Sequence, residues 1–430
     1  MKKIIFTLSL CMMLVFSSVQ AFADEIIVNI DSEQVEFNEQ SGKPFVDANW
    51  RTQVPFRQTL EKYGATVEWN QEKQIAIATK DGITVEIPIG TNYIIKNGEK
   101  LTNDTTSLIV NNRTYLPIRK VIEAFGSEVQ WDSSVNTVVI TKEPFDVKAI
   151  LLKANEKSYA WKNYDGKILI DILMPLPDGL GNVQNMKMKM DMDATVFVEP
   201  MKMKMSAIMD ADIMGEKISQ PIMEMYLTAD DTTFATYMGM YDPSGLLTWQ
   251  KSIMEDESFA SLFKLSRDSS AQMDEKYIKD VKYFGKYKDT AGNTLLKIQY
   301  AMSGEIYKVV LGTYLQELSQ STNESDIMAA EMLKNIGDIQ LISYIDEKSG
   351  ELVKYEFDLS KIYSSIFGSL LGMDGMEGMT AEDLAVLQSM QAKMVMEIHH
   401  INTATDFVIP KEALNAPEID LMEPVETEVQ

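Results

Sequence analysis

The chain has 430 residues, 45% apolar and 24% charged, with 64 acidic against 40 basic side chains. It can bury a core, and it lacks the net basic character that a phosphate backbone demands. Two histidines are too few for most multi-histidine metal enzymes, and the single cysteine, Cys11, excludes disulfides, iron–sulfur clusters and cysteine-type zinc sites.

Residues 1–23 read as a cleaved signal peptide. Lys2 and Lys3 form the basic start, Ile4 to Phe16 the apolar stretch, and Ala21-Phe22-Ala23 a small-x-small cleavage site. Ser17 and Ser18 break the apolar run short of the ~20 residues a membrane span needs. Cys11 follows Leu10 rather than a small residue, which argues against lipidation. No later segment is long and apolar enough to be a transmembrane span. The expected location is extracytoplasmic, secreted or at the cell surface, with no nucleic-acid partner.

Methionine divides the remainder. None occurs between Asp24 and Ile150, whereas 26 of the 29 lie from Leu151 onward. Such different core chemistry predicts two domains, residues 24–143 and 150–420, followed by an acidic tail over 421–430. The boundary is expected near Glu143-Pro144-Phe145.

The first domain contains an internal repeat. Asn49-Trp-Arg-Thr-Gln-Val-Pro-Phe-Arg57 recurs 62 residues later as Asn111-Asn-Arg-Thr-Tyr-Leu-Pro-Ile-Arg119. The match continues through Glu61 and Glu123, Gly64 and Gly126, Val67 and Val129, and Trp69 and Trp131. In each copy (about 26–80 and 81–142) a proline opens a helix, apolar residues follow at helical spacing, and the glycine supplies a left-handed stop. An alternating strand, a polar turn and a second β-rich run complete a helix plus hairpin, given twice. Arg57 and Glu61, like Arg119 and Glu123, have the spacing for an ion pair on one helix face. A grip on an anionic wall polymer is the functional reading of these arginines, and pinning of the helix the structural one. Trp69 and Trp131 alternate with Val67 and Val129, which predicts burial rather than stacking on sugars.

The pattern R-T-x-[VL]-P-x-R, then glycine, then V-x-W-[ND], resembles the copper amine oxidase N-terminal-like, or stalk, repeat of exported Gram-positive proteins. That family name refers to an accessory domain. The resemblance implies a surface-exposed module of the cell envelope with a cell-wall or envelope partner. It does not imply the oxidase's three-histidine copper site, which this chain cannot build.

The second domain reads as long antiparallel strands. Met186, Met188, Met190, Met192, Ala194, Val196 and Val198 alternate with Lys187, Lys189, Asp191, Asp193 and Thr195. After Glu199-Pro200 the alternation resumes through Met201, Met203, Met205, Ala207, Met209, Ala211 and Ile213. At ~3.3 Å per residue these thirteen-residue runs span ~43 Å. Met223, Met225 and Leu227, then Phe234, Thr236, Met238 and Met240, extend the pattern. Further strands are predicted over 294–303, 339–346, 351–359 and 394–401. Helices are predicted from Ser325 to Gly337 and from Thr380 to about Lys393. Between residues 368 and 379, four glycines interleave Leu370, Leu371, Met373, Met376 and Met379. This loop is either a lid over a cavity, with Leu371, Met373 and Met376 as its contacts, or a plain connector.

Three readings of the methionines stay open: a filled sheet core, a core with a cavity for lipid-like molecules, and Cu(I) binding by thioethers. The cavity candidates are Met188, Met190, Met203, Met205, Met225 and Met238. The M-x-M strands, Pro200 to Met203, Glu224 to Tyr226, Trp249-x-Lys251 and Phe407-Val-Ile-Pro410 together resemble Met-rich exported proteins similar to the LolA-type lipoprotein-carrier half-barrel. That resemblance implies a curved antiparallel sheet over helices with an apolar cavity for acyl chains.

No G-x-S-x-G, H-E-x-x-H or glycine-rich phosphate loop is present, so no catalytic, metal or cofactor residue is assigned. His399 and His400 end an alternating strand, which predicts one ring in and one out. The sequence therefore predicts an α+β chain: a two-repeat helix-plus-hairpin domain, then a long-stranded half-barrel with a few covering helices. Its expected role is non-catalytic binding of an apolar ligand or partner segment. The alternative is a purely structural surface scaffold.

Overall fold

The structure is a computed structural model and describes residues 25–142, 145–177, 183–213, 216–230, 232–255, 275–306, 337–360 and 389–419. The chain forms two compact units, Met1–Phe145 and Asp146–Gln430.

The first unit opens with β1 (Ile27–Ile30), β2 (Glu33–Gln34), β3 (Phe45–Val46) and β4 (Thr52–Pro55), which runs into helix α1 (Phe56–Tyr63). Pro55 ends β4 and is the N-cap of α1, one residue before the first helical position where proline is expected. Phe56, Leu60 and Tyr63 put one face of α1 into the core. Gly64, at φ 98°, stops the helix in the left-handed region that a side chain resists. Then follow β5 (Thr66–Asn70), β6 (Ile75–Lys80), β7 (Ile83–Pro88), β8 (Tyr93–Lys96) and β9 (Glu99–Thr102), a five-stranded meander. β10 (Leu108–Val110) and β11 (Arg113–Pro117) lead into helix α2 (Ile118–Ala124), and β12 (Glu128–Asp132) and β13 (Thr137–Thr141) close the unit. β4 and β11 pair antiparallel at the middle of the sheet β10-β11-β4-β3, while β1 returns to lie parallel to β13. One core joins these pieces, including Val28, Val54, Leu60, Ile87, Ile94, Leu116, Ile122 and Ile140, each at most 2% exposed.

Helix α3 (Val147–Ser158) begins the second unit, with the Asp146 carboxylate accepting from the Ala149 N–H at 2.9 Å as its N-cap. Among the described residues, eleven strands then build one sheet. They are β14 (Asn163–Pro177), β15 (Val183–Phe197), β16 (Met201–Ile213), β17 (Glu216–Ala229), β18 (Thr233–Tyr241), β19 (Leu247–Glu255), β20 (Ile278–Lys288), β21 (Thr294–Met302), β22 (Ile339–Asp346), β23 (Leu352–Asp358) and β24 (Gln391–His399). Their order is β19-β18-β17-β16-β15-β14-β24-β23-β22-β21-β20, all antiparallel. The chain thus meanders out from β14 to one edge, restarts at the other edge, and returns until β24 lies against β14. The sheet curls as a half-barrel with β19 and β20 as its edge strands among the described residues.

Strands dominate the described residues, so the fold is mostly β rather than α+β. The described α-helices are few and short: α1, α2, α3 and α4 (Lys411–Leu414). α3 packs against β20 and β23, where Leu151, Ile298, Tyr300, Ile345 and Leu352 form a sealed core. The helix expected to run to about Lys393 gives way to β24 from Gln391, because residues 391–393 carry ladder bonds to β14. The helix expected from Ser325 and the 368–379 loop, with Leu371, Met373 and Met376, lie outside the described residues.

Candidate functional site

The register of β14 to β18 decides what each face of the half-barrel presents. In antiparallel pairs, directly opposed residues share a face, so rows of partners read across the sheet. One row runs Met394, Ile170, Met190, Met209; the next runs Met396, Ile168, Met192, Ala207, Met223, Met240. A third runs Ile398, Gly166, Ala194, Met205, Met225, Met238. Met203 stands in a fourth row, between Val196 and Leu227, and Met188 in a fifth, between Ile172 and Ala211. All six cavity candidates, Met188, Met190, Met203, Met205, Met225 and Met238, therefore lie on one face. Each is half-buried. Among the methionines of these rows Met192 is sealed, at 8% exposure, alongside Ala194, Ala207, Ala211, Leu227 and Ile398.

The opposite face carries charges in alternation. Asp358, Lys393, Asp171, Lys189 and Asp210 are successive partners across five strands. Lys354, Glu397, Lys167 and Asp193 form a second such row. Lys167 bridges to Asp191 at 2.8 Å, and that hydrogen bond holds its ammonium pKa above the ordinary lysine value.

A cleft of about 560 Å³ lies at one end of these strands, within the ordinary size range of small-molecule sites. Ile172, Leu173, Met188, Ala211 and Ile218 supply apolar lining, while Lys187, Lys189, Lys217, Lys393, Asp171, Asp210 and Asp212 supply the charges. Met188 alone of the six candidates lines it. Sequence reading missed the charged members because β14, β17 and β24 meet β15 and β16 only through long-range pairing. Their visible signal was the Lys and Asp alternation opposite the methionines.

The C-terminal segment lies over the charged face near the other edge. Lys202 pairs with Asp406 and sits 4.8 Å from the Phe197 ring centre and 5.1 Å from that of Phe407. Phe407, Ile409 and Ala413 pack on Tyr226, Tyr237 and Trp249. The Lys251 N–H donates to the Pro417 carbonyl, and the Ile419 N–H to that of Lys251, at 3.0 and 2.8 Å. The charged face of β17–β19 is thereby partly closed.

The histidines depart from the one-in, one-out expectation. β24 ends at His399, and His400 takes φ 49°, so both rings are exposed. His400 Nδ1 lies 2.7 Å from Asp165 Oδ2, and His399 Nε2 lies 3.6 Å from Glu397. No group of three or more His, Cys, Asp or Glu side chains fit to hold a metal occurs among the described residues. None of the described helices is long and apolar enough to cross a membrane.

In the first unit, Arg57 bonds Glu61 at 3.1 Å, as its spacing predicts. Arg119 does not bond Glu123, which instead faces Lys120 at 3.7 Å. Trp69 and Trp131 are half-buried rather than sealed, because each has one side on the core and the other on an open cleft.

Residues 29–140 match the family model of the copper amine oxidase N-terminal domain. The match spans the first unit's strands and both its helices. Among solved structures, the chain is similar to a β-barrel-like protein of the domain of unknown function DUF1849 from Brucella abortus. Identity is 9%, coverage is 46% of this chain and 87% of that one, and the TM-score is 0.18. A DUF1329 family protein from Desulfovibrio piger is also 9% identical, over 62% of this chain and 96% of that one, with a TM-score of 0.18. At that TM-score neither likeness bears on the function.

Proposed function

We propose that this is an exported, non-catalytic binding protein of the cell envelope. The copper amine oxidase N-terminal-like unit, built as two copies of a helix plus hairpin, presents the chain at the surface. The second unit, with the LolA-type half-barrel layout, holds a lipid-like ligand. One observation carries this reading: on one face, thioethers stand among other apolar residues in cross-strand rows yet stay half-buried, as Met190, Met203, Met205, Met225 and Met238 do. Unbranched, polarisable side chains adapt to irregular apolar ligands. The cleft at Met188 adds a charged rim on which a polar headgroup is accommodated. Export rests on the signal-peptide pattern of residues 1–23.

Replacing Met203 with Asp tests the site. In a ligand-lined face the fold persists and uptake of a fluorescent fatty acid is lost. In a filled scaffold the buried, unpaired carboxylate costs several kcal/mol and unfolds the unit. A folded variant with unchanged uptake removes Met203 from the site.

A further inference from the structure

The chain contains five arginines and five tryptophans. Four of those arginines and three of those tryptophans line two clefts of the first unit. The concentration is notable because the whole chain carries a formal charge of −24.

The two clefts are assembled in a reciprocal way. One, of about 600 Å³, takes Arg57 from the start of α1, Trp69 from β5, Asn112 from the turn before β11 and Arg113 from the first position of β11. The other, of about 760 Å³, takes Arg119 from the start of α2, Trp131 from β12, and Trp50 and Arg51 from the turn before β4. Residues 62 apart in sequence thus fill corresponding places. The arginines and the Trp69–Trp131 pair match, whereas Lys120 stands where its counterpart is Gln58 and Trp50 where its counterpart is Asn112.

The second difference is costly to maintain. Trp50 is 86% exposed and holds φ 59°, a left-handed conformation that bulky residues avoid. The turn is pinned beneath it by Asp47, whose carboxylate accepts from the Asn49 and Arg51 N–H groups, the Gln53 amide and the Thr105 hydroxyl at 2.7–3.0 Å. An exposed indole on a braced turn is a preorganised contact surface. Trp131 lines the same cleft and offers a second ring, half-buried.

The arginines of the two clefts also differ in what they already hold. Arg113 donates to the backbone carbonyls of Gln40 and Glu39, Arg51 pairs with Asp104, and Arg57 pairs with Glu61. Arg119 is exposed and has no hydrogen bond or ion pair among the described residues. Its planar fork is free to meet a carboxylate or phosphate in bidentate fashion.

We propose that the 760 Å³ cleft is a binding site for an anionic saccharide chain. The C–H face of a sugar ring packs on the flat Trp50 indole, with Trp131 as a second wall. Thr102, Asn103 and Gln130 line the same cleft and supply hydroxyl and amide groups for ring hydroxyls. Arg119 reads the acidic substituent. The corresponding cleft at Arg57 lacks both the exposed indole and the free guanidinium, and serves as an internal control.

Tryptophan fluorescence titration of the full chain tests this, with two anionic probes that separate the sources of the charge. Oligogalacturonate carries carboxylates, and a glucosylated poly(glycerol phosphate) carries phosphates; cellohexaose is the neutral control and poly-glutamate the peptide control. At least one anionic saccharide binds, and Trp50→Ala and Arg119→Gln each weaken that binding about tenfold or more with thermal melting unchanged. Arg119→Lys does not restore it, because an ammonium lacks the fork, and Arg57→Gln leaves it unaltered. The proposal is overturned if neither anionic saccharide binds, if cellohexaose or poly-glutamate binds equally well, or if Arg57→Gln weakens binding as much as Arg119→Gln.

Discussion

Val54 stands directly opposite Leu116 in the antiparallel pair β4–β11, and both side chains are fully buried. The two residues lie 62 positions apart and occupy the same place in the segments Arg51 to Arg57 and Arg113 to Arg119. An antiparallel pair formed between matching residues has a local two-fold axis between them. That axis explains why each cleft of the unit takes its turn from one segment and its helix start from the other.

The Val54–Leu116 contact is therefore central to the first unit's stability. Leu116→Ala removes a fully buried side chain at the middle of the sheet and leaves a cavity in the first unit's core. The expected cost is about 3 kcal/mol. Urea unfolding of the full chain, followed by indole fluorescence, measures it. A loss below about 1 kcal/mol would mean that the site collapses without penalty and that this pair is not the organising contact.

Methionines are nearly interchangeable along β15 and β16, so the thioether face specifies strand register weakly. The charged face supplies what is missing. In the row Asp358, Lys393, Asp171, Lys189, Asp210, every partner carries the opposite sign. Lys189→Asp places three acids side by side and is expected to destabilise the second unit by about 1–2 kcal/mol. Lys189→Gln, which removes attraction without adding repulsion, should cost less. Thermal melts of both variants decide the matter, and equal midpoints for the native chain and Lys189→Asp would show that the row does not guide pairing.

The contact between Lys202 and Asp406 responds to pH. The hydrogen bond from Lys202 holds the Asp406 carboxyl below its ordinary value of 3.8. A carboxyl whose folded pKa lies below its unfolded one stabilises the fold above the unfolded value, and that contribution fades as pH falls through the folded pKa. Asp406→Asn should therefore lower the melting midpoint at pH 7, and its difference from the native chain should shrink as the pH drops through 4 and below. Melting curves at stepped pH provide the check. A difference that holds constant from pH 7 to pH 3 would show that the ion pair is not its source.

Much of the second unit was legible in local pattern. The alternation from Met186 to Val198 is the strand Val183–Phe197, and that from Met201 to Ile213 is the strand Met201–Ile213. Period two says which residues share a face, but not which strands lie next to each other. Nothing local reveals that Asp165 pairs with His399, so the charged rows and the cleft at Met188 stayed hidden. Helix α3 was also missed, although Asp146 three residues before Ala149 is a capping signal. In the first unit, the spacing of Arg119 and Glu123 suggested an ion pair that Lys120 makes instead. Competition from a neighbouring cation is invisible to spacing rules.

The proposal that the methionine-lined face holds an apolar ligand has a direct test. That test is native mass spectrometry of the full chain, purified without detergent and followed by solvent extraction. The expected result is a population heavier than the bare chain by the mass of a lipid, with acyl chains recovered in the extract. Bare protein alone, which also takes up no fluorescent fatty acid when it is offered, would contradict it.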